Sequence, residues 1–277
     1  AVACRAGFDR NGTPYEIWDR TRLAARCPYL RLTERDWGLY TPRGGALLAE
    51  RILHDLASWL ASRGVAHHAG AEVATIDPDG AAVRLASGER LEADAIIVAT
   101  GAWTGRLLPE LTPVLESRRT MLAYLLPPAD LAASWDDAPS FLDLGGPDDL
   151  YLVPPLEGLP LKFGAGSTAY PADPDAPRRL RPDEPERLLA TLRPYLHDLD
   201  RYQVTECRIC HYCFSPDERF VAGTLAGGRV AYASGCSGQM FKFGAVMGER
   251  LAAAATGTLA GVELTAWARG EVFSAAT

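Results

Sequence analysis

Lysine is almost absent from this chain. Only Lys162 and Lys242 occur in 277 residues, against 26 arginines. Two readings of that scarcity stand side by side. One is codon bias with two accidental survivors. The other is that both positions need a compact ammonium with a tunable pKa, which a guanidinium does not supply. Their surroundings match, Leu161-Lys162-Phe163-Gly164 and Phe241-Lys242-Phe243-Gly244. A cation between two apolar residues fits a strand or turn whose charged side faces a polar pocket.

Other absences narrow the function. The net charge is −7 and no basic run interrupts the chain, which argues against nucleic acid as a partner. No apolar stretch approaches the roughly 18 residues a membrane span needs, so no membrane partner is expected. No secretory leader pattern opens the sequence as given. Six unevenly placed cysteines do not make a disulfide scaffold, and a reducing cytoplasm is the expected compartment. The sequence begins at Ala1 rather than Met, so a fragment or processed product is expected. With 48% hydrophobic and 23% charged residues, the composition is that of an ordinary globular protein.

Periodicity supplies the elements. Residues 14–32 mix polar and apolar residues at roughly helical spacing. Leu48, Ile52, Leu56, Trp59 and Leu60 make one apolar face of a helix predicted over 46–63, stopped by Gly64. Glu72-Val73-Ala74-Thr75-Ile76 alternates like a strand, and 82–85 with the Ser87-Gly88 turn reads as a hairpin. Ala95-Ile96-Ile97-Val98-Ala99 is a continuous apolar run, the pattern of a buried parallel strand, and it ends in Thr100-Gly101. The middle of the chain, 113–212, changes texture. It holds short strand-like runs such as Leu150-Tyr151-Leu152-Val153, a Pro- and Asp-rich stretch over 171–185, and a helix predicted over 186–196. A strand at 229–233, the turn Ser234-Gly235-Cys236-Ser237-Gly238 and a helix over 244–255 follow. This pattern predicts an α/β plus α+β protein. An α/β domain over 1–113 and 220–277 receives a mostly antiparallel insertion over 114–219.

Three of the six cysteines lie in Glu206-Cys-Arg-Ile-Cys-His-Tyr-Cys-Phe-Ser-Pro-Asp-Glu218, and its Cys-Arg-Ile-Cys-His matches the c-type haem attachment pattern. The segment 202–214 has strand character, and successive side chains on a strand point to opposite faces. Cys207 and Cys210 would therefore point apart, which is poor geometry for two thioethers on one porphyrin or two ligands on one metal. Zinc and cluster sites also need four ligands, and no further C-x-x-C lies outside this segment. A redox dithiol needs a helix N-terminus that is not visible here. Cys207 and Cys213 read as small buried hydrophobes, and no metal site is predicted. His67 and His68 read as exposed, His211 as packed or solvated, and Asp217-Glu218 as a turn.

Cys210-His-Tyr-Cys-Phe-Ser-Pro-Asp-Glu218 with Phe220, followed by Ala231 to Gly244 as AYASGCSGQMFKFG, resembles the C-terminal third of the monomeric sarcosine oxidase group. That group belongs to the D-amino acid oxidase superfamily of FAD enzymes. The strand near 93–99 with Gly101-Ala102-Trp103 also resembles the family, as do Tyr151 and Lys162 at their spacing. The resemblance runs from about Leu23 to Ala266 and is dense in these four patches. It implies an incomplete Rossmann-like FAD-binding domain over 1–113 and 220–277, and a substrate domain over 114–219. Cys210 would be bonded through sulfur to the flavin 8α carbon. Lys162 would sit by flavin N5 and promote reaction of the reduced ring with oxygen, a developing anion stabilised in place. Lys242 would pair with the substrate carboxylate, and Tyr151 and Tyr212 would shape the substrate pocket. Val73, Gly101, Trp103, Gly235, Cys236, Ser237, Gly238 and Lys242 would contact the cofactor. The helix starting near Gly244 would aim its positive end at the flavin.

The implied reaction is oxidation of a carboxylated amine, such as an N-methyl, secondary or cyclic amino acid. Hydride passes to the flavin, oxygen becomes hydrogen peroxide, and an imine is left. Alternatives are an amino-acid dehydrogenase of the same fold and a non-catalytic fragment or subunit of a split flavoprotein. Gln239 and Gly166 stand where the family has histidines, so sarcosine itself is not the expected substrate. The family's N-terminal Gly-x-Gly-x-x-Gly strand, which holds the FAD pyrophosphate on backbone amides, is missing, as is an upstream arginine. A fragment of a longer oxidase is expected, with a partner chain supplying that segment as the alternative.

Overall fold

The computed structural model of the chain describes residues 2–225 and 227–271. Its contacts fall into two compact units. The first comprises Ala1–Ala46, Thr120–Ala169 and Pro177–Cys210, the second Leu47–Arg119, Tyr170–Ala176 and His211–Thr277.

The first unit is organised by antiparallel pairing. Leu161–Ala165 pairs with Leu150–Val153 and with Leu122–Leu125 of the long strand Glu116–Leu126. The strand Gln203–Phe214 also pairs with Glu116–Leu126. Period-two alternation sorts the side chains into two faces. Ala123, Leu125, Leu150, Leu152, Leu161, Phe163 and Ile209 face one core, while Tyr124, Tyr151, Lys162 and Cys210 alternate with them and face away from it. The helix Glu184–Leu192 closes that core with Leu188 and Leu192. Tyr29 stacks on Trp135 at 3.7 Å between ring centres, and the Trp135 indole N–H donates to the Tyr202 hydroxyl at 3.1 Å.

The N-terminal segment departs from the boundary placed on it. Residues 14–32, whose spacing was only roughly helical, form a short strand, Glu16–Trp18, and a helix, Arg20–Arg26. Asp19 caps that helix by accepting from the Arg22 N–H at 2.8 Å. Its apolar residues Trp18, Leu23, Cys27, Tyr29 and Leu30 pack into the first unit's core. The segment Ala1–Ala46 therefore groups with the antiparallel unit, not with the parallel strands as the 1–113 boundary had it.

In the second unit Ile96–Val98 and Val230–Ser234 pair in parallel, and Val221–Thr224 adds an antiparallel strand beside Val230–Ser234. The helices Gly244–Ala255 and Gly261–Ala268 cover them, with Met247, Leu251, Ala254 and Leu264 against Ala222, Ala231 and Ala233. A three-stranded antiparallel sheet is built from Val73–Asp77, Ala82–Leu85 and Arg90–Glu92. Two expectations of burial are not met. Val98 is buried, but Ile97 is 46% exposed. The helix forms at Ala49–Ser62, yet none of its residues is buried, and Ile52, Leu53, Leu56 and Trp59 stay 41–54% exposed. An amphipathic stripe of that kind is built to be covered, and the described residues do not bury it. Among them, no helix is long and apolar enough to cross a membrane.

Candidate functional site

In the first unit the site forms on the sheet face that turns away from the core. Lys162 stands directly opposite Tyr124 on one neighbouring strand and Val153 on the other. Tyr151 stands opposite Gly164, whose missing side chain leaves space for the phenol ring. The Lys162 ammonium is 6.0 Å from the centre of that ring, within cation–π reach. Burial pushes the Tyr151 pKa up, and the proximity of Cys210 and Tyr124 acts in the same direction. Tyr151 is therefore a neutral hydroxyl donor across the physiological range. The structure thus brings Tyr151, Lys162 and half-buried Cys210 onto one face.

Tyr124 and Arg208 join this face, and the sequence reading singled out neither. Arg208 precedes Cys210 by two residues and shares its side of the strand. Its guanidinium lies 5.5 Å over the Tyr124 ring and is held by both oxygens of Glu206, at 2.8 and 3.2 Å. Alternation along Gln203–Phe214 could have placed Arg208 beside Cys210. Nothing linear could have placed Tyr124, which comes from a distant strand.

The other cysteines behave as the strand pattern predicts. Cys207 packs against the core, where burial and then Glu206 push its thiol pKa up. Cys213 is buried. Among the described residues no three His, Cys, Asp or Glu side chains are grouped as metal ligands would be.

In the second unit, Val230–Ser234 runs into the turn Gly235-Cys236-Ser237-Gly238. Gly235, Ser237 and Gly238 all take positive φ, at 64°, 43° and 72°. Ser237 holds this unfavourable conformation because its N–H donates to the Cys213 carbonyl at 2.9 Å and its hydroxyl to the Gly235 carbonyl at 3.3 Å. Tyr212 lies against Gly238, where an added methyl group would be 3.8 Å from its ring. Gly101, Cys236, Ile97, Ala99, Gly244 and Met247 line part of a cavity of about 350 Å³. The cavity runs along the helix Gly244–Ala255 from its positive N-terminal end. Lys242 sits in the turn just before that helix, exposed, with its ammonium 5.7 Å from the centre of the Phe243 ring.

Two residues assigned cofactor contacts have partners within the second unit. The Trp103 indole donates to Asp175 at 2.8 Å, and Arg106 ion-pairs with Asp173 and Asp175. Trp103 therefore helps tie down the Tyr170–Ala176 segment. Val73 opens the antiparallel sheet, paired with Leu85. At Gly166, where a family histidine was expected, even a methyl group would come within 2.7 Å of the Asp149 carboxylate.

The profile of the family described as FAD dependent oxidoreductase matches residues 3–254. The monomeric sarcosine oxidase of Bacillus sp. (strain B-0618) is 27% identical over 245 residues, covering 85% of this chain and 62% of its own length. The N-methyl-L-tryptophan oxidase of Escherichia coli O127:H6 is 31% identical over 241 residues, covering 84% of this chain and 63% of its own. The chain thus spans somewhat under two thirds of these relatives. A modified fructosyl peptide oxidase from Aspergillus nidulans superposes with a TM-score of 0.76 at 19% identity, over 96% of this chain and 68% of that one. Amadoriase II from Aspergillus fumigatus gives 0.72 at 17%, over 92% and 66%. At these identities the structural likeness is one of fold.

Proposed function

The chain belongs to the FAD dependent oxidoreductase (DAO) family, and from that premise we propose that it forms most of an oxidase acting on a carboxylated secondary amine. The observation that carries the reading is the sheet face where Tyr151, Lys162 and Cys210 meet. One of the chain's two lysines stands there beside a neutral phenol and a half-buried thiol. The names of the relatives point the same way, since sarcosine and N-methyl-L-tryptophan are both amino acids with a secondary amine.

In the first unit Cys210 offers a half-buried thiol, and in the second Gly235 and Gly238 keep a turn open to close approach; each suits the ring end of a flavin. They do not fit the pyrophosphate end, because the sequence contains no Gly-x-Gly-x-x-Gly loop. Bound there, FAD would supply the acceptor for a hydride from the carbon next to the amine nitrogen, with oxygen as the final electron acceptor. Lys162 holds a fixed positive charge on a face where negative charge develops, which is worth most when water is excluded. Tyr151 and Tyr212 are each assigned a substrate contact and can donate hydrogen bonds. Lys242 takes the substrate carboxylate as a point charge. Cys210 is the thiol assigned to the flavin thioether. Lys162 is also what favours oxygen as the acceptor over a dehydrogenase reading.

The open side of Ile96–Val98 favours a further element of the reading. Exposed Ile97 and the apolar stripe of Ala49–Ser62 suit a strand–turn–helix segment that carries the dinucleotide loop, from a longer parent chain or from a partner chain. All six cysteines are free thiols, which suits a cytoplasmic setting.

The test is acid precipitation of the chain after expression with FAD, alone and together with the amino-terminal third of a sarcosine oxidase. A yellow pellet that turns colourless in Cys210→Ala, with peroxide formed from N-methyl amino acids, is the expected result. A colourless pellet and no peroxide in both settings would overturn the reading.

A further inference from the structure

We propose that Tyr124, fixed in place by Arg208, is the residue that positions the Lys162 ammonium. The inference deepens the proposed function and rests on Lys162 being its working cation. Lysine has a long flexible stem, and a charge that must act at one point has to be held there. Tyr151 provides one wall, with its ring centre 6.0 Å from the ammonium. Tyr124 is placed by strand register to provide the other. It is the direct cross-strand partner of Lys162, and such partners have Cβ atoms about 5 Å apart. The third neighbour, Val153, is short and cannot reach as far as either ring.

A tyrosine on a half-exposed sheet face is itself free to turn unless something seats it. Arg208 does so, 5.5 Å over the ring, and the two hydrogen bonds it donates to Glu206 keep the guanidinium from swinging off. The Thr205 hydroxyl also donates to the Tyr124 carbonyl at 3.2 Å, which fixes the backbone under the ring. Contacts thus run from Glu206 through Arg208 to Tyr124, and strand register sets Tyr124 beside Lys162. None of the first three needs to touch substrate or cofactor, so their role is positioning.

The scarcity of lysine makes the test direct. Reductive methylation with isotope-labelled formaldehyde gives just two lysine dimethylamino signals by NMR, from Lys162 and Lys242. Lys242→Arg assigns them. The Lys162 signal is expected to be displaced by ring currents from the position of free dimethyl-lysine. Arg208→Met should move it back toward that position while the Lys242 signal stays still. Tyr124→Leu should move it further, and Tyr124→Phe, which keeps the ring, should leave it in place. Tyr124 is half-buried and Tyr124→Leu endangers the fold, so Arg208→Met, altered at a more exposed side chain, carries the decision. A Lys162 signal that ignores Arg208→Met, or one that is undisplaced in the parent chain, overturns the inference. In flavin-loaded protein, Arg208→Met should also slow reoxidation by oxygen and spare reduction by substrate. If the signal moves and reoxidation does not slow, the positioning holds and the role given to Lys162 is what fails.

Discussion

The Tyr151 ring lies over the backbone of Gly164. A methyl group at Gly164 would stand 2.6 Å from a ring carbon and 2.8 Å from the hydroxyl. No real Cβ contact is that short, so the glycine is the seat on which Tyr151 rests beside Lys162. Gly164→Ala should lift the ring and destabilise the chain by about 1–3 kcal/mol, the usual range for overpacking. Urea unfolding measures it. The same substitution made in Tyr151→Ala should cost much less, and the difference is the coupling between the two positions. Equal losses in both backgrounds would show that the ring does not lie there.

Asp175 predicts an acid-sensitive step. Hydrogen bonds from Trp103, then from Arg106, hold its carboxyl below the usual aspartate range. A depressed folded pKa means that the stabilisation is complete above the ordinary value, about 3.9. It is lost as pH falls through the lower folded value. The fluorescence of Trp103, obtained by difference against Trp103→Phe, should therefore hold steady from neutral pH to about pH 4 and change only below. Asp175→Asn should remove the acid step. A Trp103 signal that titrates near neutrality would contradict the hydrogen bond.

How much of this was legible in the sequence depended on the range of the interactions. The Gly244–Ala255 helix was legible, because Gly244 at its start and Gly257 after it punctuate a locally coded element. Tyr151, Lys162 and Cys210 were reached through spacing and resemblance, and strand alternation separated Cys210 from Cys207 correctly. Tyr124 was invisible, because cross-strand register is set by pairing between segments far apart in the chain. The segment 14–32 misled because Leu23, Cys27 and Leu30 are spaced as on a helix, while burial in the core is what fixed their conformation. Ile97 misled differently. An apolar run states that a strand needs cover on both faces, not that the same chain provides it.

The two lysines should separate kinetically. Lys162→Met removes the cation beside Tyr151, and in flavin-loaded protein it should slow reoxidation by oxygen while reduction by substrate continues. Lys242→Met removes the proposed carboxylate partner. Loss of a charge-assisted contact is worth about 1.5–3 kcal/mol, so substrate binding should weaken about 10- to 100-fold. Stopped-flow absorbance resolves the two half-reactions. Equal effects of both variants on both steps would show that the lysines do not have separate roles.

The apolar stripe of Ala49–Ser62 gives the last prediction. Exposed apolar side chains contribute little to the stability of the chain that carries them, so Leu53→Gln and Leu56→Gln should each change it by no more than about 0.5 kcal/mol. Both residues are close to half-exposed. The same changes should matter only when the covering segment is present. A segment that buries the stripe would lose roughly 1.5–3 kcal/mol per leucine side chain left uncovered. Flavin retention by the chain co-expressed with an amino-terminal segment should then fall sharply in the double variant, while the chain alone unfolds at an unchanged urea concentration. If the double variant destabilises the chain alone by several kcal/mol, the stripe is already packed within this chain. If it changes neither measurement, the helix is not the surface that the segment covers.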